Sequence, residues 1–336
     1  MKALVLQRYG GPDPLVFKDV PRPVPKAGEV LVQVQAVGLN PIDNMIPKGT
    51  FKAVLKFKLP ATMGSDLAGV VVEVGADVTR FRPGDEVFAS LFDLGPGSLA
   101  EFAVVPESAA APKPSNVNFV EAASIPMVGL TSWQAFTERA KVRPGQKVFI
   151  PAGSGGIGTF AIQLAKHLGA TVGTTTSTGN VDLVKSLGAS EVVDYKTQDF
   201  QDVLQGYDVV LGTLRGDEVK KALGILKPNG IVVSLTGPLD AEFGRARGLG
   251  GLFVFLFRLM SFGILRRARK LQVRYSFLFV HPSGTQLSEI GELLAAGKIK
   301  PVVDRVFPFD RVKEALEYLA AGRAKGKVVV QMRKPE

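Results

Sequence analysis

Lys147-Val148-Phe149-Ile150-Pro151-Ala152-Gly153-Ser154-Gly155-Gly156-Ile157-Gly158 decides the fold of this chain. A short apolar run ends in glycines, and residues 159–168 continue with helical spacing. Gly153, Gly155 and Gly158 fit G-x-G-x-x-G, while Ala152, Gly155 and Gly158 fit the related A-x-x-G-x-x-G. Physically this is a strand–turn–helix. One glycine permits the tight turn, the next lets the backbone approach a pyrophosphate, and the last lets helix and strand pack closely. The helix start offers N–H groups without acceptors and a partial positive charge, which suits phosphate. Glycines cluster in many turns, so the flanks matter. Ile162, Leu164, Ala165 and Leu168 supply an apolar helix face, Gly169 stops the helix, and Thr171–Thr176 reads as the next strand.

Outward from this loop the pattern repeats. Strands are expected at 147–152, 171–176, 191–195, 208–212 and 230–236, with helices between, which is a parallel doubly wound sheet, and 273–280 reads as a sixth strand. Residues before about 120 read differently. Short strands at 30–37, 67–74, 86–89 and 99–105 are punctuated by Gly and Pro, which suggests a small barrel. Asp310 is the expected N-cap of a helix carrying Val312, Leu316 and Leu319, and the strand 327–332 returns to the N-terminal domain. The stretch 241–272 reads as irregular. It contains Leu252-Phe253-Val254-Phe255-Leu256-Phe257, then basic residues at Arg266, Arg267, Arg269 and Lys270. It is too short and too interrupted to cross a bilayer. A buried helix or a lid is the expectation; a subunit contact, or a membrane-surface contact by 252–262, is the lesser alternative.

A chain of 336 residues suggests two domains at roughly 150 residues each. The absence of cysteine excludes disulfides and thiolate metal sites. His167 and His281 are the only imidazoles, and His167 lies on the helix after the glycine loop, so no metal site is expected. The start, Met1-Lys2-Ala3-Leu4-Val5-Leu6, is too short for a secretory apolar region and runs into a strand pattern, so a cytoplasmic protein is expected. A net charge of +10 suggests anionic partners, and a phosphorylated nucleotide is one. A nucleic-acid face would need clustered charge and aromatics and is not expected.

Further motifs stand in order along nearly the whole chain: Gly38-Leu39-Asn40-Pro41-Ile42-Asp43, Gly64-Ser65-Asp66-Leu67-Ala68-Gly69, Phe81-Arg82-Pro83-Gly84-Asp85-Glu86-Val87, Gly97-Ser98-Leu99-Ala100-Glu101-Phe102, Glu121-Ala122-Ala123-Ser124-Ile125-Pro126, Gly129-Leu130-Thr131-Ser132-Trp133 and Gly326-Lys327-Val328-Val329-Val330. With the glycine loop, they make the chain resemble the zinc-independent medium-chain dehydrogenases/reductases, in the quinone oxidoreductase (zeta-crystallin-like) and enone reductase branch. The aromatic insert and Gly297-Lys298-Ile299-Lys300-Pro301-Val302-Val303 are similar to the reticulon-interacting members. The resemblance implies an α/β protein with a GroES-like β-barrel catalytic domain, 1–122 with 273–336, and a Rossmann NADP(H)-binding domain, 123–272. It also implies a homo-oligomer, commonly a dimer that extends the Rossmann sheet.

An NAD site carries an acidic residue at the end of the second strand to hold the ribose 2′-hydroxyl. Here that point reads Thr174-Thr175-Thr176-Ser177-Thr178-Gly179-Asn180, with hydroxyls and no carboxylate, so NADP(H) is expected. The resemblance adds Tyr195 at the 2′-phosphate and puts Asn180 where members often carry Lys, with Lys196 or Arg323 as compensating cations. The expected cofactor contacts are Gly153, Ser154, Gly155, Gly156, Ile157, Thr176, Ser177, Asn180, Tyr195, Thr236, Phe279 and Lys327.

The implied reaction moves a hydride to a quinone or to the C=C bond of an α,β-unsaturated carbonyl, without zinc. The resemblance places Asn40 beside nicotinamide and substrate, where its amide is an oxyanion donor; the alternative is an Asn that caps the turn before Pro41. Asp43 orders this motif or a proton path, and Thr131 contacts the nicotinamide ribose or ring. Asp66 stands where zinc enzymes carry an acidic residue near the metal and is expected to be structural. Lys48, Lys52, Lys56 and Lys58 read as a solvated loop face. A second class of function stays open, a nucleotide-regulated binding protein for RNA or protein with little turnover.

Overall fold

The computed structural model describes residues 1–332 except 12, 53, 56, 57, 96, 214 and 215. The chain forms two compact units, Met1–Leu130 with His281–Glu336, and Thr131–Val280.

The second unit is built on six parallel strands, in the spatial order Glu191–Asp194, Thr171–Thr176, Lys147–Ile150, Tyr207–Gly212, Leu226–Ser234, Arg274–Phe277. In chain order this is 3-2-1-4-5-6, the doubly wound dinucleotide-binding arrangement. Lys147–Ile150 and Tyr207–Gly212 are almost wholly buried, as sheet strands covered on both faces must be. Phe149 packs against Phe200 and Tyr207 at ring-centroid distances of 4.9 and 5.8 Å. The Tyr207 hydroxyl donates to Glu191 at 2.8 Å. That hydroxyl occupies the space a β-carbon on Gly173 would need, so the glycine inside a threonine-rich strand is there to admit the tyrosine.

The first unit centres on the eleven-residue strand Glu29–Leu39. It pairs antiparallel with Asp66–Val74, with Phe102–Pro106 along its first half, and with Lys327–Gln331 along its second. Val303–Pro308, Glu86–Ser90 and Ala110–Pro112 complete this seven-stranded sheet. Leu15–Asp19, Lys2–Leu6 and Ala61–Thr62 form a three-stranded sheet, and Ala3 makes an isolated bridge to Ala100, just before the strand Phe102–Pro106. The expected GroES-like barrel and Rossmann sheet are both present.

Two expectations change, those for Asp310 and for 241–272, and the compact units can be set beside the expected domains. The compact units divide after 130 and 280, eight residues later at each junction than the expected 122 and 272. The helix Phe119–Ala123 packs so closely on Gly38 that a β-carbon there would meet Ala123 O, which ties it to the barrel. The strand Arg274–Phe277 pairs with Leu226–Ser234 and so closes the parallel sheet. Asp310 sits within the 3₁₀ turn Phe309–Arg311, and the following helix Val312–Ala320 has Arg311 at its N-cap position, with no side-chain capping bond. The stretch 241–272 is regular: a short helix, Ala241–Ala246, and a twenty-residue helix, Gly251–Lys270. That long helix is not a buried one, because only Phe257, Ser261, Ile264 and Ala268 are covered. No described helix is long and apolar enough to cross a membrane.

Candidate cofactor site and a buried polar cluster

The glycine loop leaves Lys147–Ile150 and turns at Ala152, whose φ of 54° is left-handed and costly for a residue with a β-carbon. The helix Gly156–His167 begins after Gly155. The backbone N–H groups of Gly156, Ile157 and Gly158 lie in its first turn, where no preceding turn offers an acceptor. A β-carbon on Gly158 would stand 2.5 Å from Ala152 O and 2.6 Å from Gly153 Cα, and one on Gly153 would strike Thr174 Oγ1. Gly155 is different: its β-carbon would meet only Ala152 O, at 3.3 Å. Two glycines therefore serve the packing of turn on helix, and Gly155 leaves an open cradle.

The threonines of the second strand hold the loop. Thr174 donates to Ile150 O at 2.6 Å, the Ala152 N–H donates to Thr175 Oγ1 at 3.0 Å, and the Gly153 N–H donates to Thr175 O at 2.9 Å. Beyond them lies a cluster of neutral polar groups. The Thr176 hydroxyl donates to Ser154 Oγ at 3.0 Å, and Asn180 Nδ2 donates to Ser154 Oγ and Ser177 Oγ at 3.2 Å each. Ser154, Thr176, Ser177 and Asn180, expected separately from the motif and the strand end, thus come together. The nearby carboxylate is Asp194, the register partner of Thr176. It accepts from Thr178 Oγ1 at 2.5 Å and from the Lys196 N–H at 3.0 Å, and these bonds hold it below the usual carboxylate range. Tyr195 is exposed. Thr236 and Phe279 are half-buried, and Phe279 lies 5.3 Å from the Phe243 ring with the Arg247 guanidinium over its face at 4.9 Å. Thr131 is buried in the helix Pro126–Trp133.

In the barrel unit, Asn40, Asp43, Ser65, Asp66 and Lys327 form a buried polar cluster. Lys327 Nζ donates to Leu39 O at 2.8 Å and to Asn40 Oδ1 at 2.6 Å, and stands 3.8 Å from Asp66 Oδ2. An ammonium has only donors, so it fixes which end of the Asn40 amide is oxygen. Asn40 Nδ2 then donates to Asp66 Oδ2 at 2.9 Å and to Gly38 O at 3.3 Å. Both amide hydrogens are taken, and oxyanion donation by Asn40 requires one of these bonds to open. Asp43 accepts from the Asn40 N–H at 2.8 Å and from Ser65 Oγ at 2.9 Å. Burial pushes its carboxyl up to about 7 despite those bonds. Burial also raises Asp66 and lowers Lys327, against the attraction between them. Lys327, expected among the cofactor contacts, is the hub of this cluster. Nothing local in the sequence marks its partnership with Asn40, which lies 287 positions away. Lys48, Lys52 and Lys58 are exposed, as a solvated face requires, and Lys56 lies outside the described residues.

Residues 26–115 match the alcohol dehydrogenase GroES-like domain family, and residues 187–330 match the zinc-binding dehydrogenase family. The chain is 37% identical to NAD(P)H oxidoreductase RTN4IP1, mitochondrial, of Danio rerio, over 99% of this chain and 91% of that one. It is 37% identical to the NADPH-dependent alkenal/one oxidoreductase, chloroplastic, of Arabidopsis thaliana, over 98% of this chain and 79% of that one. The quinone oxidoreductase from Coxiella burnetii superposes with a TM-score of 0.85 at 30% identity, covering 99% of both chains. The chain belongs to the medium-chain dehydrogenase/reductase family, on its quinone oxidoreductase and enone reductase branch. The zinc named in one family description does not fit these residues. The chain has no cysteine, no described cluster of His, Asp and Glu could hold a metal, and the ammonium of Lys327 is the cation beside Asp66.

Proposed function

We propose that this chain is an NADPH-dependent reductase of quinones or of the C=C bond of α,β-unsaturated carbonyls. The observation that carries the reading is the open cradle at Gly155 beside the Ser154–Thr176–Ser177–Asn180 cluster. The names of the relatives agree with it. NADPH, when bound, supplies two electrons as a hydride from its nicotinamide C4. The first-turn N–H groups at Gly156 and Ile157 hold the pyrophosphate. The hydroxyl cluster accepts the 2′-phosphate, with Tyr195 at its edge. Lys327 draws electron density from the Asn40 carbonyl oxygen and so strengthens Nδ2 as a donor. Asn40 exchanges its 3.3 Å bond to Gly38 for the oxygen on which charge develops. For an enone the hydride joins the β-carbon, the oxygen carries the charge, and a proton completes the α-carbon. For a quinone, the hydride and a proton give the hydroquinone. Asp43, held near neutrality, exchanges a proton in this cluster at working pH.

The homo-oligomer is a dimer in this reading, and the compartment is the cytoplasm. Two of the relatives carry mitochondrial and chloroplastic in their names. The test is loss of reduced-nicotinamide absorbance with benzoquinone, phenanthrenequinone, a short enone and a 2-alkenal, with NADPH and NADH in parallel. Turnover is expected with NADPH and at least one acceptor class. Tight NADPH binding with no turnover across the panel would favour the nucleotide-regulated binding protein instead.

A further inference from the structure

The helix Gly251–Lys270 is about 30 Å long and unusual in what it exposes. Its buried stripe is narrow: Phe257, Ser261, Ile264 and Ala268 face the sheet unit, with Phe257 against Phe243 at 5.8 Å. On the opposite side, Leu252, Phe255, Leu259 and Phe262 follow one another at helical spacing and form the outermost ridge. They are 71, 55, 56 and 59% exposed. Phe253, Leu256 and Met260 flank this ridge and are exposed too. The same ridge continues into Arg266, and Arg267, Arg269 and Lys270 surround it in the last turns, all exposed. The helix carries five basic residues and no acidic one.

Soluble surfaces scatter such side chains; three consecutive turns of them on one convex ridge need a partner. A second copy of the chain would bring the same cations to the same face with no acid on the helix to meet them. An apolar groove on another protein reads such a ridge by its i, i+3 and i+7 anchors, but it would leave the run of cations after the ridge without a counterpart. What the helix offers is an apolar segment followed lengthwise by a cationic one. An anionic bilayer has the matching order, acyl chains beneath phosphate headgroups. We propose that Gly251–Lys270 docks the protein on anionic lipid surfaces. The ridge from Leu252 to Phe262 enters the acyl boundary, and Arg266, Arg269 and Lys270 lie among the lipid phosphates, while Arg267 on the flank faces Asp217. The proposal does not depend on the reaction, although a membrane-dissolved acceptor would be reached from such a position.

The experiment is co-sedimentation of the full-length, NADPH-loaded protein with vesicles of phosphatidylcholine alone or mixed with phosphatidylglycerol, over a range of salt. Binding is expected on the mixed vesicles, weakening with salt, and not on phosphatidylcholine alone. The variant L252S/F255S/L259S/F262S should lose binding by at least about tenfold while keeping the cofactor-induced rise in melting temperature, which reports its fold. The variant R266Q/R269Q/K270Q, which leaves the apolar ridge in place, should weaken binding to mixed vesicles on the order of tenfold or more. The proposal is overturned if the wild type ignores mixed vesicles or if the serine variant still sediments with them. It is equally overturned if the wild type is an oligomer that the serine variant splits while neither form binds lipid, because the ridge is then an interface between copies.

Discussion

Lys327 decides the chemistry of the barrel unit because it places a positive charge inside it. Replacing it with Met leaves Asp66 buried without its cation. The expected loss is about 3–5 kcal/mol, read as the midpoint shift in urea unfolding. Asn40→Ala removes one of the two acceptors of Lys327 and a donor to Asp66, and should cost about 1–3 kcal/mol together with turnover. An Asn40→Ala protein with unchanged turnover and affinities would remove Asn40 from the mechanism. Asp43 gives the cluster a pH dependence. Its folded value of about 7 lies above the ordinary 3.8, so the folded state holds the extra proton between those values. Stability from this group is full below about pH 4 and is lost as pH rises through 7, on the order of 4 kcal/mol in all. Asp43→Asn should flatten that part of the slope in urea unfolding between about pH 4 and 7; an unchanged slope would show that Asp43 is ionised throughout. At the cofactor cluster, Asn180→Asp puts a carboxylate among the hydroxyls. The KM for NADPH should rise at least about tenfold while that for NADH changes little. Asn40, Asp43 and the serine and threonine run were legible from local motifs. The bonds that commit the Asn40 amide were not, because two of its partners, Asp66 and Lys327, come from distant strands.

At the level of elements, the glycine loop separates packing from binding. Gly158→Ala forces the turn off the helix and should destabilise by about 1–3 kcal/mol, with cofactor affinity falling as well. Gly155→Ala meets only Ala152 O, at 3.3 Å, which a shift of a few tenths of an ångström relieves, so its melting temperature should fall less than that of Gly158→Ala. On the proposed function its β-carbon meets the approaching pyrophosphate, so NADPH affinity should still fall at least about tenfold. Equal melting losses in the two variants would contradict this division. The loop was legible because strand, glycines and helix follow within twenty residues. The helix Gly251–Lys270 was not, and the reason is physical. Periodicity reveals a helix when one face is apolar and the other polar. Here apolar residues go all round for three turns, most of them into solvent, and the change of character runs along the axis. Asp310 misled in the opposite way, since a good capping residue was taken up by a 3₁₀ turn one residue earlier than the helix needs.

For the molecule as a whole, ligand linkage and metal dependence follow. NADPH at about a hundred times its dissociation constant should add about 2.7 kcal/mol, which raises the melting temperature by several degrees. NADH at the same concentration should add less. Prolonged chelation should leave both melting and turnover unchanged, and a loss restored by zinc would overturn the reading of the Asn40–Asp66–Lys327 cluster. By itself the sequence determined the two architectures and the cofactor loop, because strand alternation, β–α alternation and the glycine turn are properties of neighbours along the chain. It determined the absence of thiolate ligands in the same way, by composition. Tertiary structure alone decided that Lys327 answers Asn40 and which side of Gly251–Lys270 faces outward. Each of these depends on what distant segments bury together, and burial is a property of the packed chain.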